Sequence, residues 1–311
     1  MIDNTLIDSR LAGYIRTSST ALFSHVLDQL ASLLTAEVLQ SSSGTSLLHL
    51  ASVLLHDPPQ GEQLSYFFAD AITNTPRSRQ QQVLAFISIC CSERPAVLRP
   101  TDTGNLWSTL AKMVANSKLH DGHTSYPMFQ QIIAIISTIV RLRRDLLVNN
   151  LPQLGHTLAR LLLCLRTTRH NLGAMQKSMV LDTFPQWITA DEPLTVREAK
   201  ALARLLENIN AKTVVRNNAA HQELQKAESL AKPFSKHASY ILKAYVTVMN
   251  DPLCVLPLPI RKELRSGLFV LCGMVNDHSR DAIMVSLDVG GKLTLKSLWQ
   301  EYEKQRYHGQ G

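Results

Sequence analysis

Apolar side chains recur three and four positions apart along almost the whole chain, and sustained two-residue alternation is nearly absent. That period gathers them on one face of a helix, not of a strand, so the chain reads as all-α. Phe23, Val26, Leu27, Leu30 and Leu34 open the series, and Val83, Phe86, Ile87 and Cys90 continue it. Phe129, Ile132, Ile133, Ile136 and Val140 form the next stripe, followed by Leu154, Leu158, Leu161, Leu162 and Leu165. Ala238, Ile241, Leu242 and Tyr245 repeat the pattern, as do Leu264, Leu268, Leu271, Cys272 and Val275. Leu295, Leu298, Trp299 and Tyr302 close it. With 45% hydrophobic and 18% charged residues the chain can bury these stripes, which excludes a disordered protein.

Proline falls between the stripes: Pro58-Pro59, Pro76, Pro100, Pro127, Pro152 and the Pro257 to Pro259 run. Proline fits a first helical turn, where its missing N–H is no loss, and disrupts a helix interior. Thr195-Val-Arg-Glu198 is a capping box, in which hydroxyl and carboxylate each accept from a free backbone N–H. Helices of this length on short connections predict an α-solenoid of stacked antiparallel pairs, HEAT- or armadillo-like with degenerate repeats. A closed helical bundle is the alternative. Residues 1–211 would form the helical-repeat region and residues 233–311 a C-terminal helical cap within one continuous domain. Between them, residues 212–232 hold only Leu224 and Leu230 as large apolar anchors, which predicts a solvated helix or a mobile loop.

Charge is distributed unevenly. Residues 1–76 carry two bases and seven acids, residues 77–170 twelve bases and four acids, and the remainder eighteen bases and fourteen acids. The net charge of +7 therefore hides an acidic start and a basic middle. Arg141, Arg143, Arg144, Arg160, Arg166 and Arg169 dominate that middle, with His156 and His170 among them. Guanidinium groups grip phosphates by forked hydrogen bonds, so these six are candidate contacts to RNA or to an acidic partner. The competing reading is an ordinary solvated face, and no stacking aromatics interleave the arginines as single-strand binders require.

The sequence offers no catalytic constellation, cofactor motif or metal site, and a non-enzyme is expected. His120-Asp121-Gly122-His123 reads as a loop. Asp277-His278-Ser279 holds triad residue types as neighbours in sequence, whereas a triad assembles in space; an N-cap before Arg280 explains it better. Gly290-Gly291 reads as a helix stop and turn before a helix beginning near Lys292, with an anion-binding helix start as the alternative. Cys90, Cys91, Cys164, Cys254 and Cys272 lie in apolar stretches without metal-ligand spacing and read as reduced core thiols. An acidic N-terminus without a signal-like pattern, and apolar runs too short to span a bilayer, predict a soluble intracellular protein with no membrane partner.

Gly267 and Gly273 interrupt a helical stripe, which predicts a close neighbour at each. Trp299, Tyr302 and Tyr307 concentrate aromatic rings near the C-terminus of a chain that is only 6% aromatic. They are candidate partner anchors, with packing against a preceding helix pair as the alternative. An ordered set runs through this region: Lys232-Pro233-Phe234 with His237, then Tyr245, Pro259 to Leu264, Gly267 and Leu268, Leu287, Gly291, Lys296, Leu298, Trp299, Tyr302 and Tyr307. On these residues the last eighty positions resemble the C-terminal domain of the Urb/Npa-type nucleolar pre-rRNA processing proteins. Residues 1–211 share with that family only their helical character. The resemblance implies a non-catalytic scaffold in early large-ribosomal-subunit assembly. It also implies nucleolar partners: another large helical-repeat protein, a DEAD-box helicase and an RNA-binding protein, with the basic middle meeting either pre-rRNA or the acidic part of a partner. Family members are longer, so the chain is expected to be a C-terminal piece with an added Met. A protein-binding adaptor without RNA contact is the alternative.

Overall fold

The structure is a computed structural model that describes residues 100–115, 128–185, 187–189, 192–212 and 229–308, with scattered single positions from 84 to 98. The stripes at Phe23 to Leu34, most of the stripe at Val83 to Cys90, the His120 to His123 loop and residues 213–228 lie outside the described residues. The chain divides into two compact units, Met1–Leu110 and Ala111–Gly311. The second carries nearly everything that follows.

The described elements are helical almost throughout. They are α1 (Pro100–Met113), α2 (Met128–Leu142), the single turn α3 (Arg144–Leu147) with a 3-10 turn Val148–Asn150, and α4 (Leu151–Cys164). A two-residue strand β1 (Thr167–Thr168) leads to α5 (Ala174–Leu181), α6 (Val196–Asn210) and α7 (Ala231–Met249). Strand β2 (Cys254–Val255) precedes α8 (Leu258–Met274), α9 (Asp277–Ser286) and α10 (Val289–His308). β1 and β2 form a short antiparallel ladder, Thr167 opposite Val255 and Thr168 opposite Cys254. Two residues are too few to show an alternating pattern, so the periodicity gave no sign of this pair.

Among the described residues the predicted stripes supply much of the core. In α2 all five predicted residues are buried, together with Met128, Ile135 and Ile139, so this helix is covered over a wider arc than its stripe alone suggests. Leu154, Leu158, Leu161, Leu162 and Leu165 are each at most 1% exposed. Each such side chain contributes about 1.5 to 3 kcal/mol on burial. Trp187 joins this core through its ring, edge-on to Phe129 at 6.5 Å, and its indole N–H donates to the carbonyl of Met113 at 2.8 Å.

Helix order follows from the most extensive contacts. α6 packs against both α2 and α8, while α7 packs against both α4 and α10 and also meets α8. The contact of α6 with α8 requires Gly267: a Cβ there would stand 2.9 Å from Cα and 3.0 Å from the carbonyl oxygen of Ala203. α4 meets α7 at Gly155, where a Cβ would come within 3.1 Å of His237 Cβ and 3.2 Å of the Tyr240 ring. The pattern around Leu154 and Leu158 had drawn no attention to Gly155. Gly273 is the milder case, with the Tyr302 hydroxyl 3.0 Å from the position of a Cβ.

Helix starts match their sequence signals with two adjustments. Thr195 N–H and Oγ1–H both donate to Glu198 Oε2, at 2.9 and 2.6 Å, and Arg197 N–H donates to Thr195 Oγ1 at 3.3 Å. The cap of α9 is Asn276, not Asp277: its Oδ1 accepts from Ser279 N–H at 2.8 Å, because the helix starts one residue earlier than a cap at Asp277 would require. Gly290 and Gly291 are not a stop and turn but part of the first turn of α10. A Cβ on Gly291 would meet Val246 of α7 at 3.1 Å, so this helix start needs glycine to approach α7.

Candidate functional site

The six candidate arginines do not stand alike. Arg141 is exposed in the last turn of α2. Arg143 pairs with Asp145, donating from Nη2 to Oδ2 at 2.8 Å and from Nε to Oδ1 at 3.0 Å. That fork holds the Asp145 carboxyl below its usual range. Arg144 is 7% exposed; its Nε donates to the Val140 carbonyl at 2.8 Å and its Nη2 to the Asn208 carbonyl at 3.1 Å. These are orphan carbonyls near helix ends, so Arg144 ties the end of α2 to the end of α6. Its place inside the fold removes it from the expected phosphate-facing set, and desolvation there lowers its pKa.

Arg160 and Arg166 are half-buried. Arg160 Nε donates to the Val114 carbonyl at 3.3 Å. Arg166 donates to Thr183 Oγ1, and its guanidinium lies over the Phe184 ring, 4.9 Å from the centroid. This stack docks the turn after α5 onto the end of α4. Arg169 is exposed, yet its Nε donates to Cys254 O and its Nη2 to Asp251 O, both at 3.1 Å. Its backbone N–H donates to Leu253 O at 3.1 Å, extending the β1–β2 pairing. The fork of Arg169 therefore clamps the loop after α7 beside β1. Charge counting could not reveal this, because the acceptors are backbone carbonyls from residues more than eighty positions away.

The aromatic candidates also differ. Trp299 is half-buried with the Arg280 guanidinium 5.8 Å from its ring. Tyr302 packs on α8, its ring 6.0 Å from that of Phe269. It also lines a hollow of about 670 Å³ with Glu207, Phe269, Gly273 and Arg306. Tyr307 is 75% exposed near the end of α10, leaving it the most accessible anchor of the three.

Among the described residues no catalytic constellation is assembled. Asp277, His278 and Ser279 occupy the first turn of α9. At the start of α10 the anion position is filled by the chain itself, since Asp288 Oδ1 accepts from Gly291 N–H at 2.8 Å. Among the described residues no three His, Cys, Asp or Glu side chains are placed to hold a metal. Cys164, Cys254 and Cys272 are buried free thiols, and Cys91 is buried as well. Burial pushes Cys164 and Cys272 up to about 12 and Cys254 up to about 11, which disfavours a nucleophilic thiolate. No described helix is long and apolar enough to cross a membrane.

One surface feature drew no attention from the sequence. α7, α8 and α10 converge on a groove lined by Tyr245, Leu258, Arg261, Leu268, Leu293 and Glu301, among others. The Arg261 and Arg265 spacing on α8 carried the signal, because residues four apart share a helix face.

The Urb2/Npa2 family model matches residues 81–310. The match reaches far upstream of the last eighty residues and takes in all the elements described above. No curated protein and no solved structure matches the chain. On the extent of that match, the chain belongs to the Urb2/Npa2 family, a family of ribosome-biogenesis factors.

Proposed function

We propose that the chain is a non-catalytic scaffold in early large-ribosomal-subunit assembly and pre-rRNA processing, acting in the nucleolus. The observation that carries this reading is the order of its helices. With α6 between α2 and α8, and α7 between α4 and α10, successive pairs would stack in two layers. Such stacking would make an α-solenoid, whose extended faces suit binding and not turnover. The expected partners are another large helical-repeat protein, a DEAD-box helicase and an RNA-binding protein. Tyr307 and the edge of Trp299 offer them aromatic anchors.

Direct contact with pre-rRNA belongs to the same proposal, in a reduced form. Arg141 presents an exposed cation, and Arg143 and Arg169 keep part of theirs at the surface. Arg144 is reserved for the fold. The adaptor reading, without RNA, is favoured by one observation: five of the six arginines already brace helix ends, loops or a carboxylate. Binding of the purified chain to large-subunit pre-rRNA fragments across a salt series separates the two. RNA contact predicts a steep fall of affinity with salt, and a shallower slope in Arg141→Glu, Arg143→Glu protein that retains Arg144. An unchanged slope would assign the basic middle to structure alone.

A further inference from the structure

The groove between α7, α8 and α10 has an apolar floor, one uncompensated cation and accessible apolar rims. We propose that it is a docking site for a short peptide segment of a protein partner that carries a carboxylate beside an aliphatic or aromatic side chain. The proposal goes beyond the scaffold reading by assigning a site and a ligand chemistry. It does not depend on whether the basic middle of the chain meets RNA.

Three helix faces build the groove. Tyr245 and Met249 come from the last turns of α7, four residues apart; Leu258, Arg261, Arg265 and Leu268 lie along one side of α8; Leu293, Ser297 and Glu301 follow at intervals of four on α10. Tyr245, Leu268 and Leu298 are buried and form the floor. Leu258 and Leu293 form the rim and remain 52% and 65% exposed, with Val289 one turn before Leu293 at 76%. Apolar side chains held this far out, on both sides of a recess, gain by meeting a partner's apolar atoms. The recess holds about 360 Å³. Known ligand sites span about 300 to 1,000 Å³, so this one accepts a few side chains and not a helix laid along its length.

Charge selects the partner. Arg265 Nε lies 3.3 Å from Glu301 Oε2, so those two charges offset each other. Arg261 has no such pair: its Nε is shielded from solvent and has no hydrogen-bond partner. The side chain as a whole is only part-buried, so an incoming carboxylate would approach the outer nitrogens of the guanidinium and supply the charge partner that it lacks. The groove's balance is one surplus positive charge, which one carboxylate neutralises. Lys292 and Lys296 are exposed on α10 and add to the attraction. An RNA phosphate is the poorer fit, because Glu301 stands at the same rim and the floor is apolar.

The architecture keeps the groove open. Asn250, at the end of α7, donates from Nδ2 to Val246 O at 2.8 Å and to Thr294 Oγ1 at 3.1 Å. Gly290 and Gly291 let the start of α10 come against this helix end, where a Cβ on Gly290 would lie 3.0 Å from Asn250 Oδ1. α10 is thus fixed near residues 290–294, and its following turns stand over α8 with the groove between them.

The test is selection of a random twelve-residue peptide display library on the immobilised 311-residue chain, followed by affinity measurement of the enriched peptides. The expected result is enrichment of sequences pairing Asp or Glu with Leu, Ile, Met or Phe. Binding should weaken tenfold or more in Arg261→Gln and in Leu293→Asp protein, and changing the peptide acid to Lys should restore affinity for Arg261→Glu protein. Leu293 is mostly exposed, so its variant keeps the test valid should Arg261 substitutions disturb folding. The proposal is overturned if no peptide is enriched, if enriched peptides lack an acid, or if they bind both variants as well as the native chain. It is also overturned if an oligouridylate twelve-mer, run alongside, binds with the Arg261 and Leu293 dependence that the peptides lack. None of these outcomes bears on the pre-rRNA salt series, so failure here is distinguishable from failure of the scaffold reading.

Discussion

At the scale of single residues, two glycines in one helix make opposite predictions. A methyl group at Gly267 would press on the backbone of Ala203, which cannot move without shifting α6. Gly267→Ala should therefore destabilise the chain by about 1 to 3 kcal/mol, the range for overpacking. At Gly273 the obstacle is the end of the Tyr302 side chain, which can swing away. There the helix-propensity gain of about 1 kcal/mol offsets the crowding, and Gly273→Ala should leave the urea midpoint nearly unchanged. His237 supplies a pH signal. Its ring sits between Phe234 and Tyr240 with Nδ1 buried and unpartnered. Burial, and the neighbouring Lys236 ammonium, hold the imidazole below the usual histidine value. The unfolded chain then takes up the proton first, so stability is full above about pH 6.5 and falls as pH drops through and below it. Urea midpoints from about pH 7.5 to 5 should show this loss in the native chain and less of it in His237→Gln protein.

At the scale of elements, helix caps and loop clamps carry predictions that charge counting cannot make. Burial pushes the Glu198 carboxyl up, but hydrogen bonds from Thr195 and Gln130 outweigh it and hold the group below its usual value. Thr195→Ala removes the hydroxyl half of this cap and should cost about 1 kcal/mol. Arg169→Lys keeps the charge but loses the fork to Cys254 O and Asp251 O. A stability loss of about 1 kcal/mol with unaltered RNA affinity would mark Arg169 as a clamp, and lost RNA affinity at unchanged stability would mark it as a contact. Residue pattern made the apolar stripes and the Thr195 cap legible, because both depend on neighbours within one or two turns. Gly267 and Gly273 were legible as anomalies inside a helix, though not their neighbours. The roles of Arg144, Arg166 and Arg169 were illegible because their acceptors come from distant segments. Gly155 was missed because nothing around it breaks the periodicity of α4.

At the scale of the whole molecule, the basic middle reads differently once its arginines have partners. Among the described arginines much of that charge joins helix ends and loops together, while Arg141 stays exposed. The proposed recognition then falls more on the C-terminal helices, where Tyr307 and Leu293 are exposed and the part-buried Arg261 lines the groove. Family membership makes the chain a ribosome-biogenesis factor; the proposed scaffold role draws on the packing of α6 against α2 and α8 and of α7 against α4 and α10. The most direct test is affinity purification of the tagged chain from cells that make it, with sequencing of the bound RNA and mass spectrometry of the bound proteins. The account predicts enrichment of large-subunit pre-rRNA together with early assembly factors, undiminished by nucleotide depletion. Bound RNA and protein no different from an untagged control would contradict it.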